Sequence, residues 1–307
     1  MKNYIFIILL FILIICSKSF AIDTKADQAI VIDFDTNEIL FEKNSNQKTP
    51  PASMTKIMTV YAAFDRIKNS DLSINNECIV SPKAYKMGGS RTFLEIDDKV
   101  TIDELLKGII IQSGNDASVA LAECLAGTEN DFAKLMNVYA NRIGMTNTNF
   151  INSSGWPEKN HYSTVKDLAI LSNTIIRDFP NLFLYFQAKE FTYNEIKQPN
   201  RNKLLNSLIG ADGLKTGFTK ASGWGIAATA KRDNRRITLV INGTNSSRSR
   251  MNEASNLVNW AFSQTSQKKL IDEGEIIVEA EVWLGNKPRV NLISSKKIIS
   301  TLSFDQI

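Results

Sequence analysis

Ser53 and Lys56 stand three residues apart in Pro50-Pro51-Ala52-Ser53-Met54-Thr55-Lys56-Ile57-Met58-Thr59-Val60. A serine hydroxyl is a weak nucleophile until a neighbouring base takes its proton, and a lysine is such a base once its charge is suppressed. The two prolines cannot lie inside a helix but can lead into one. Met54, Ile57, Met58, Tyr61 and Ala62 then recur at helical spacing, which predicts a helix opening at Ser53. Residues three apart on a helix share a face, so Ser53 Oγ and Lys56 Nζ are expected to point into one space. The helix N-terminus adds free N–H groups and a positive dipole end. The pair alone is a weak signal, because the same spacing recurs at Ser45/Lys48, Ser163/Lys166, Ser266/Lys269 and Ser294/Lys297.

Two downstream stretches set Ser53 apart. Ser113-Gly114-Asn115 sits between two helical runs, where a hydroxyl can shuttle protons and an amide can hold an amine or a substrate amide. Its bland reading is capping, since Ser, Gly and Asn are favoured at helix ends. Lys215-Thr216-Gly217 falls in a strand-like run, and Gly217 has no side chain to keep a ligand from the backbone. Its bland reading is an ordinary strand bearing a surface lysine.

The elements that must position these residues follow from periodicity and punctuation. Gln28 to Lys43 reads as a β-hairpin turning at Asp35-Thr36-Asn37. The Ser53 helix runs to about Lys68, and 69–100 looks irregular with a short strand near Cys78 to Val80. Thr101-Ile102-Asp103-Glu104 is a capping box opening a helix through Gln112. Further helices are expected from about Asn115 to Ala126, Asp131 to Ile143, and Thr164 to about Arg177, with 144–163 a polar loop. Asp212 to Thr219, Trp224 to Arg232 and Arg236 to Asn242 read as strands, followed by an amphipathic helix from about Arg248 to Ser263. Strand-like runs Ile276 to Trp283, Val290 to Ile293 and Lys297 to Leu302 form a small β appendage. The fold class expected is α+β: a mostly antiparallel sheet flanked by helices, with the strand at 213–218 beside the Ser53 helix.

At 307 residues the chain can bury a large core. Its net charge of +4 and pI near 8.8 are mildly basic. The one dense cluster, Lys231-Arg232-Asp233-Asn234-Arg235-Arg236, reads as a solvated hairpin turn, so nucleic acid is not an expected partner. Residues 1–21 read as a secretory signal peptide: Lys2, an apolar run from Tyr4 to Cys16, and Ser19-Phe20-Ala21 as the cleavage site before Ile22. An uncleaved signal anchor is the rival, and Ile15 argues against lipoprotein processing at Cys16. Export leaves Cys78 and Cys124, which either pair in an oxidising compartment or serve as buried small hydrophobes. Secretion across the cytoplasmic membrane, to the periplasm or the outer face of the inner membrane, is expected.

Taken in order, Ser53-x-x-Lys56, Ser113-x-Asn115 and Lys215-Thr216-Gly217 form the three-motif signature of serine penicillin-recognising enzymes. The flanking words Pro51-Ala52-Ser53-Met54-Thr55-Lys56-Ile57-Met58-Thr59, Ile110-Ile111-Gln112-Ser113-Gly114-Asn115-Asp116-Ala117 and Asp212-Gly213-Leu214-Lys215-Thr216-Gly217 resemble the D-alanyl-D-alanine carboxypeptidases, the low-molecular-weight penicillin-binding proteins. The likeness continues through Tyr162-Ser163-Thr164 and Asn200-Arg201-Asn202 and spans roughly 26–265. It implies a β-lactamase-like catalytic domain over 22–266, a short β-rich C-terminal domain over 270–307, and no cofactor or metal.

The implied reaction removes the terminal D-Ala from peptidoglycan stem peptides, with β-lactams as covalent inhibitors. Mapped by motif, Ser53 attacks, Lys56 is the base, Ser113 relays the proton to the leaving amine, and Asn115 orients Lys56 and the substrate amide. Burial and the Lys215 cation would bring Lys56 down from the ordinary ~10.4 of a free lysine. The N–H groups of Ser53 and Phe218 form the oxyanion hole, while Thr216 and Arg250 hold the substrate carboxylate beside the open backbone of Gly217. Arg250 is preferred to Arg248 by its spacing from Trp260. Some members carry histidine where this chain has Phe218. Larger members end in a fuller β domain and an amphipathic membrane-binding helix. This chain reaches Ile307 with neither, which reads as a shortened form, with peripheral association the remaining mode of membrane attachment.

Rival chemistries are weaker. A Ser-His-Asp hydrolase would have to use His161, the single histidine, without a Gly-x-Ser-x-Gly elbow. A β-lactamase shares the three motifs but needs a water-activating glutamate, and no Glu-x-x-Leu-Asn segment supplies one. A D,D-endopeptidase uses nearly the same chemistry. The non-enzymatic rival, an inactive peptidoglycan-binding protein, would be favoured by loss of a motif residue, and none is lost.

Overall fold

A computed structural model describes residues 22–70 and 72–304. The expected leader, residues 1–21 with Cys16, lies outside the described residues.

Five antiparallel strands form the central sheet: β1 (Gln28–Asp33), β2 (Ile39–Lys43), β7 (Ala211–Thr219), β8 (Gly223–Arg232) and β9 (Arg235–Thr244), in the order β2-β1-β9-β8-β7. The last three strands meet the first two because β9 pairs with β1, from Gln28 opposite Asn242 to Asp33 opposite Ile237. Alternate residues serve opposite faces. Ile30, Ile32, Leu214, Ala227 and Val240 face one core, while Ala29, Val31, Ile226, Ala228, Leu239 and Ile241 face the other. Strands buried on both faces read as near-continuous apolar runs, as these do.

Helix α1 (Lys56–Asn69) lies inside the larger core. Ile57, Met58, Val60, Tyr61, Ala62, Ala63 and Phe64 are all buried, so the helix is covered around most of its circumference. Around it pack α4 (Asn115–Ala126), α5 (Glu129–Arg142) and α6 (Val165–Asp178). Two short helices, α2 (Pro82–Tyr85) and α3 (Ile102–Lys107), and the ribbon of β3 (Glu77–Ile79) with β4 (Lys99–Thr101) complete that layer. The opposite face of the sheet is covered by α8 (Ser247–Gln264) through Ala254, Leu257, Val258 and Ala261.

Three details differ from the expectations. Ser53 lies in a 3₁₀ turn, Ala52–Thr55, and the α-helix begins only at Lys56. The capping box at Thr101 opens α3 as expected, but the helix leaves α geometry at Gly108 and continues as a π turn, Gly108–Gln112. Third, the basic cluster before β9 is not simply solvated. Arg235 pairs with the buried Asp33 at 2.8 Å and Arg236 with Asp212 at 2.7 Å, tying the hairpin to β1 and β7.

Residues 179–210, for which periodicity gave no element, hold a 3₁₀ turn, Leu182–Gln187, the hairpin of β5 (Glu190–Tyr193) and β6 (Ile196–Pro199), and α7 (Leu204–Ser207). Cys78 and Cys124 are bridged, joining β3 to α4. The C-terminal strands form separate two-stranded sheets: β10 (Thr265–Ile271) with β13 (Ile298–Ser303), and β11 (Ile276–Glu281) with β12 (Arg289–Ile293). Among the described residues no helix is long and apolar enough to cross a membrane.

Candidate active site

All three motifs converge where the Ser53 turn meets the edge strand β7. Gly217 shows how close they are: a Cβ there would lie 3.0 Å from the Pro51 carbonyl oxygen and 3.2 Å from the Ala52 Cβ. A bulkier residue would push β7 off the turn. Ala52 adopts φ +49°, in the left-handed region that costs a non-glycine residue about 1 kcal/mol or more. On the other side Gly155, at φ +78°, packs against the turn so closely that a Cβ would overlap the Ala52 carbonyl oxygen.

Lys56 opens α1 and is carried into the core with it, fully shielded from solvent. Its Nζ lies 2.7 Å from Asn115 Oδ1, 2.6 Å from the Ser154 carbonyl oxygen and 3.3 Å from Ser53 Oγ. A neutral amine has two N–H bonds and one lone pair. The two shorter contacts take both N–H bonds, which leaves the lone pair for the Ser53 hydroxyl proton. Burial, the largest influence, lowers the Lys56 pKa to about 7. Asp116 and Glu129 pull it back up, while Arg201 pushes it down. The expected repulsion between Lys215 and Lys56 is present, and the Lys215 pKa is held well below the ordinary value first by burial and then by Lys56.

Asn115 begins α4. Its Nδ2 donates to the Gly88 carbonyl at 2.7 Å, which fixes the amide so that Oδ1 faces Lys56. Ser113 ends the π turn in a left-handed conformation, φ 69° and ψ 33°, and lines the same cleft, nearly buried. π turns commonly mark functional positions. Asp116 anchors this wall: its buried carboxylate accepts from the N–H groups of Thr92, Phe93 and Leu94 at 2.8–3.3 Å.

The cleft, about 870 Å³, has Ser53, Ser113, Asn115, Thr216, Gly217, Phe218 and Arg250 among its lining residues, while Lys56 and Lys215 are buried out of its surface. Phe218 is half exposed and stacks on Trp224 with centroids 4.2 Å apart. Arg250 is buried beneath that pair while Arg248 is exposed. Its guanidinium donates weakly to the carbonyls of Gly217 (3.3 Å) and Gly225 (3.4 Å) and to Ser247 Oγ (3.3 Å), and Nε has no partner within the protein. Burial lowers even this arginine to about 10. A buried cation that meets no carboxylate among the described residues is a ready receptor for an anion.

The profile of the D-alanyl-D-alanine carboxypeptidase family matches residues 16–246. The chain belongs to that family. The D-alanyl-D-alanine carboxypeptidase DacC of Escherichia coli is 38% identical over 270 residues, 86% of this chain and 68% of the relative. Among solved structures, penicillin binding protein 5 from Haemophilus influenzae superposes with a TM-score of 0.87 at 34% identity, covering 92% of this chain and 84% of that one. Penicillin-Binding Protein D2 from Listeria monocytogenes, in its ampicillin-bound form, gives 0.73 at 27% identity over 79% of this chain and 100% of that one. A D-alanyl-D-alanine endopeptidase of H. influenzae is a weaker relative, 30% identical over 78% of this chain and 81% of its own length.

Some parts of this carboxypeptidase-family site were not foreseen. The Ser154 carbonyl that orients Lys56 is presented by a turn in which Asn152 Oδ1 accepts from the N–H groups of Gly155 at 2.8 Å and Trp156 at 3.1 Å. Its composition, Asn-Ser-Ser-Gly, marked a loop without saying what the loop touches. His161, buried, is bonded to Thr55 Oγ1 at 2.9 Å and accepts from the Ile151 N–H at 3.1 Å on Nδ1. It braces the Ser53 turn from behind, and burial lowers its pKa to about 4, leaving it neutral at pH 7.

Proposed function

We propose that this chain is a serine-type carboxypeptidase that removes the terminal D-alanine from peptidoglycan stem pentapeptides and is acylated by β-lactams. The observation that carries the reading is the shielded Lys56 amine, held by two carbonyl-type acceptors with its Nζ 3.3 Å from Ser53 Oγ. Ser53 Oγ attacks the carbonyl carbon of the D-Ala–D-Ala bond as its proton passes to neutral Lys56. The oxyanion is held by the N–H groups of Ser53 and Phe218; loss of one such donor typically costs ~10²–10³ in rate. The C–N bond then breaks as the proton reaches the leaving amine through the Ser113 hydroxyl, releasing D-alanine. Water, deprotonated by Lys56, hydrolyses the ester on Ser53. Asn115 orients Lys56 and the substrate amide, and Lys215 adds positive field. Thr216 and Arg250 hold the terminal carboxylate, consistent with the absence of any carboxylate partner for Arg250 among the described residues.

The same reading places the enzyme beyond the cytoplasmic membrane, in the periplasm or at its outer face, after removal of residues 1–21. It treats 22–266 as the catalytic domain and 270–307 as a small β domain, with peripheral attachment to the membrane. The apolar leader supports export, and the bridge between Cys78 and Cys124 suits an oxidising compartment.

The test is acylation of the exported protein by a fluorescent penicillin, beside Ser53→Ala, read by intact mass. One adduct on the parent alone, on a chain beginning at Ile22, is expected, together with D-alanine release from a pentapeptide. Intact drug and no adduct would sink the enzyme reading. Rapid drug destruction would indicate a β-lactamase, and cleavage of cross-linked dimers faster than pentapeptides an endopeptidase.

A further inference from the structure

Beside the catalytic cleft lies a side groove of about 350 Å³ that reaches Ala52 and His161 at the Ser53 turn and has Trp156, Pro157, Glu158 and Lys159 among its lining residues. The cleft and the groove share Gly155, Trp156, Pro157, Thr219 and Ala221, and Lys220, between the last two in the chain, lines the cleft. Nothing in the reaction just described uses this groove.

Strand β7 tells which part of a substrate would reach it. If the terminal carboxylate sits at Thr216 and the attacked carbonyl at the Phe218 N–H, the peptide runs antiparallel to β7. Each earlier substrate residue then lies further along the strand, as in a strand added to a sheet edge. The terminal D-Ala falls beside Thr216 and the penultimate residue beside Gly217 and Phe218. The third residue from the C-terminus falls beside Thr219 and Lys220, at the mouth of the groove. In stem peptides this third position carries a diamino acid. Its side chain ends either in a lone ammonium or in an amino-acid head bearing both ammonium and carboxylate.

The charges in and beside the groove match the second kind. Glu158 offers one carboxylate, while Lys159 and Lys220 offer two cations. All three are exposed, and none is held in an ion pair with another side chain among the described residues. The Trp156 indole and Pro157 supply apolar surface for the methylene stem. We infer that this groove binds the side chain of the third residue from the substrate's C-terminus, and that it selects a diaminodicarboxylic acid over lysine. Its ammonium would meet Glu158, and its second carboxylate Lys159 and Lys220.

This rests on the carboxypeptidase reading, and the experiment keeps the two apart. The full exported enzyme would be given two pentapeptides, L-Ala-γ-D-Glu-X-D-Ala-D-Ala, with X either meso-diaminopimelate or L-lysine. Exposed charge pairs are individually weak, so a ratio of about 3 to 10 in kcat/KM favouring diaminopimelate is expected. It should arise mainly in KM and weaken with added salt. Lys159→Glu, on the surface and not needed for the fold, should bring the ratio to one or below, raising KM for diaminopimelate and lowering it for lysine. A parent ratio near one, or a ratio that survives Lys159→Glu, would overturn the proposal. Protection of Ser53 from fluorescent penicillin by each peptide reads the same preference without turnover. An enzyme that released no D-alanine would thus lose the carboxypeptidase reading, while the protection ratio still decided the groove.

Discussion

At the scale of single residues, chemistry is concentrated in Lys56. An ammonium is stable in water because water solvates it, and α1 carries this one into a place without water. Burial brings its pKa to about 7, so the base form is the acidic-side requirement of the reaction. The sign is set by that role: below its pKa Lys56 is protonated and cannot accept the Ser53 proton. Penicillin acylation and kcat/KM should therefore rise about tenfold per pH unit on the acid side and level off above about pH 7, provided that Lys56 sets the limb. Stability moves the same way: between the folded pKa and the ordinary lysine value the unfolded chain binds the extra proton, so folding gains as pH rises through that window. Lys56→Arg keeps a cation but cannot surrender a proton, and acylation should fall by ~10²-fold or more. An acid limb that stays at the same pH in stopped-flow acylation after Lys56→Arg would show that another group sets it.

At the scale of elements, the site depends on close backbone contacts. The Ser53 turn is held between β7, which Gly217 allows to approach, and the 152–156 turn, which Gly155 allows to approach. Gly155→Ala would add strain at φ +78° and force the Ala52 carbonyl to move, shifting Ser53 relative to Lys56. We expect a loss of about 2 kcal/mol or more in stability. Acylation should slow by ~10²-fold, the scale on which a misplacement near 1 Å acts. Denaturant midpoints and acylation rates measured together would check both, and wild-type acylation in a folded Gly155→Ala enzyme would show that the contact is not what positions Ser53.

The helix periods were legible in the sequence because α6 and α8 pack one flank on the sheet, and the capping box at Thr101 is read directly from residue types. The π turn before Ser113 was not legible. Gly108-Ile109-Ile110-Ile111 has the same residue types as a continuing helix, and its close approach to Thr92, on which a Cβ at Gly108 would intrude, is a tertiary contact that local residue types do not encode.

At the scale of the whole molecule, the bridge between Cys78 and Cys124 closes a loop of 46 residues between the β3–β4 ribbon and α4. Such a link acts chiefly by restricting the unfolded chain, and loops of this size are typically worth about 2–4 kcal/mol. Cys78→Ser with Cys124→Ser should lower the denaturation midpoint by that amount and leave acylation at room temperature nearly unchanged, since neither sulfur lines the cleft. No change in the midpoint of the parent under reducing conditions would show that the bridge contributes nothing to stability.

By itself the sequence singled out Ser53 and Lys56 as the candidate nucleophile and base, with the two accompanying motifs, because their residue types and spacings are local properties of the chain. It also determined the main strands and helices, whose apolar periods encode which faces must leave water. Only the tertiary structure decided that Ser154 presents its carbonyl to Lys56, that Arg201 adds its charge to that of Lys215 near that amine, that His161 braces Thr55, and that the two cysteines meet. The physical reason is distance along the chain. Ser154 is 98 residues from Lys56, and His161 is 106 from Thr55. Contacts of that kind exist only once the sheet has brought β9 beside β1 and buried α1 between its neighbours.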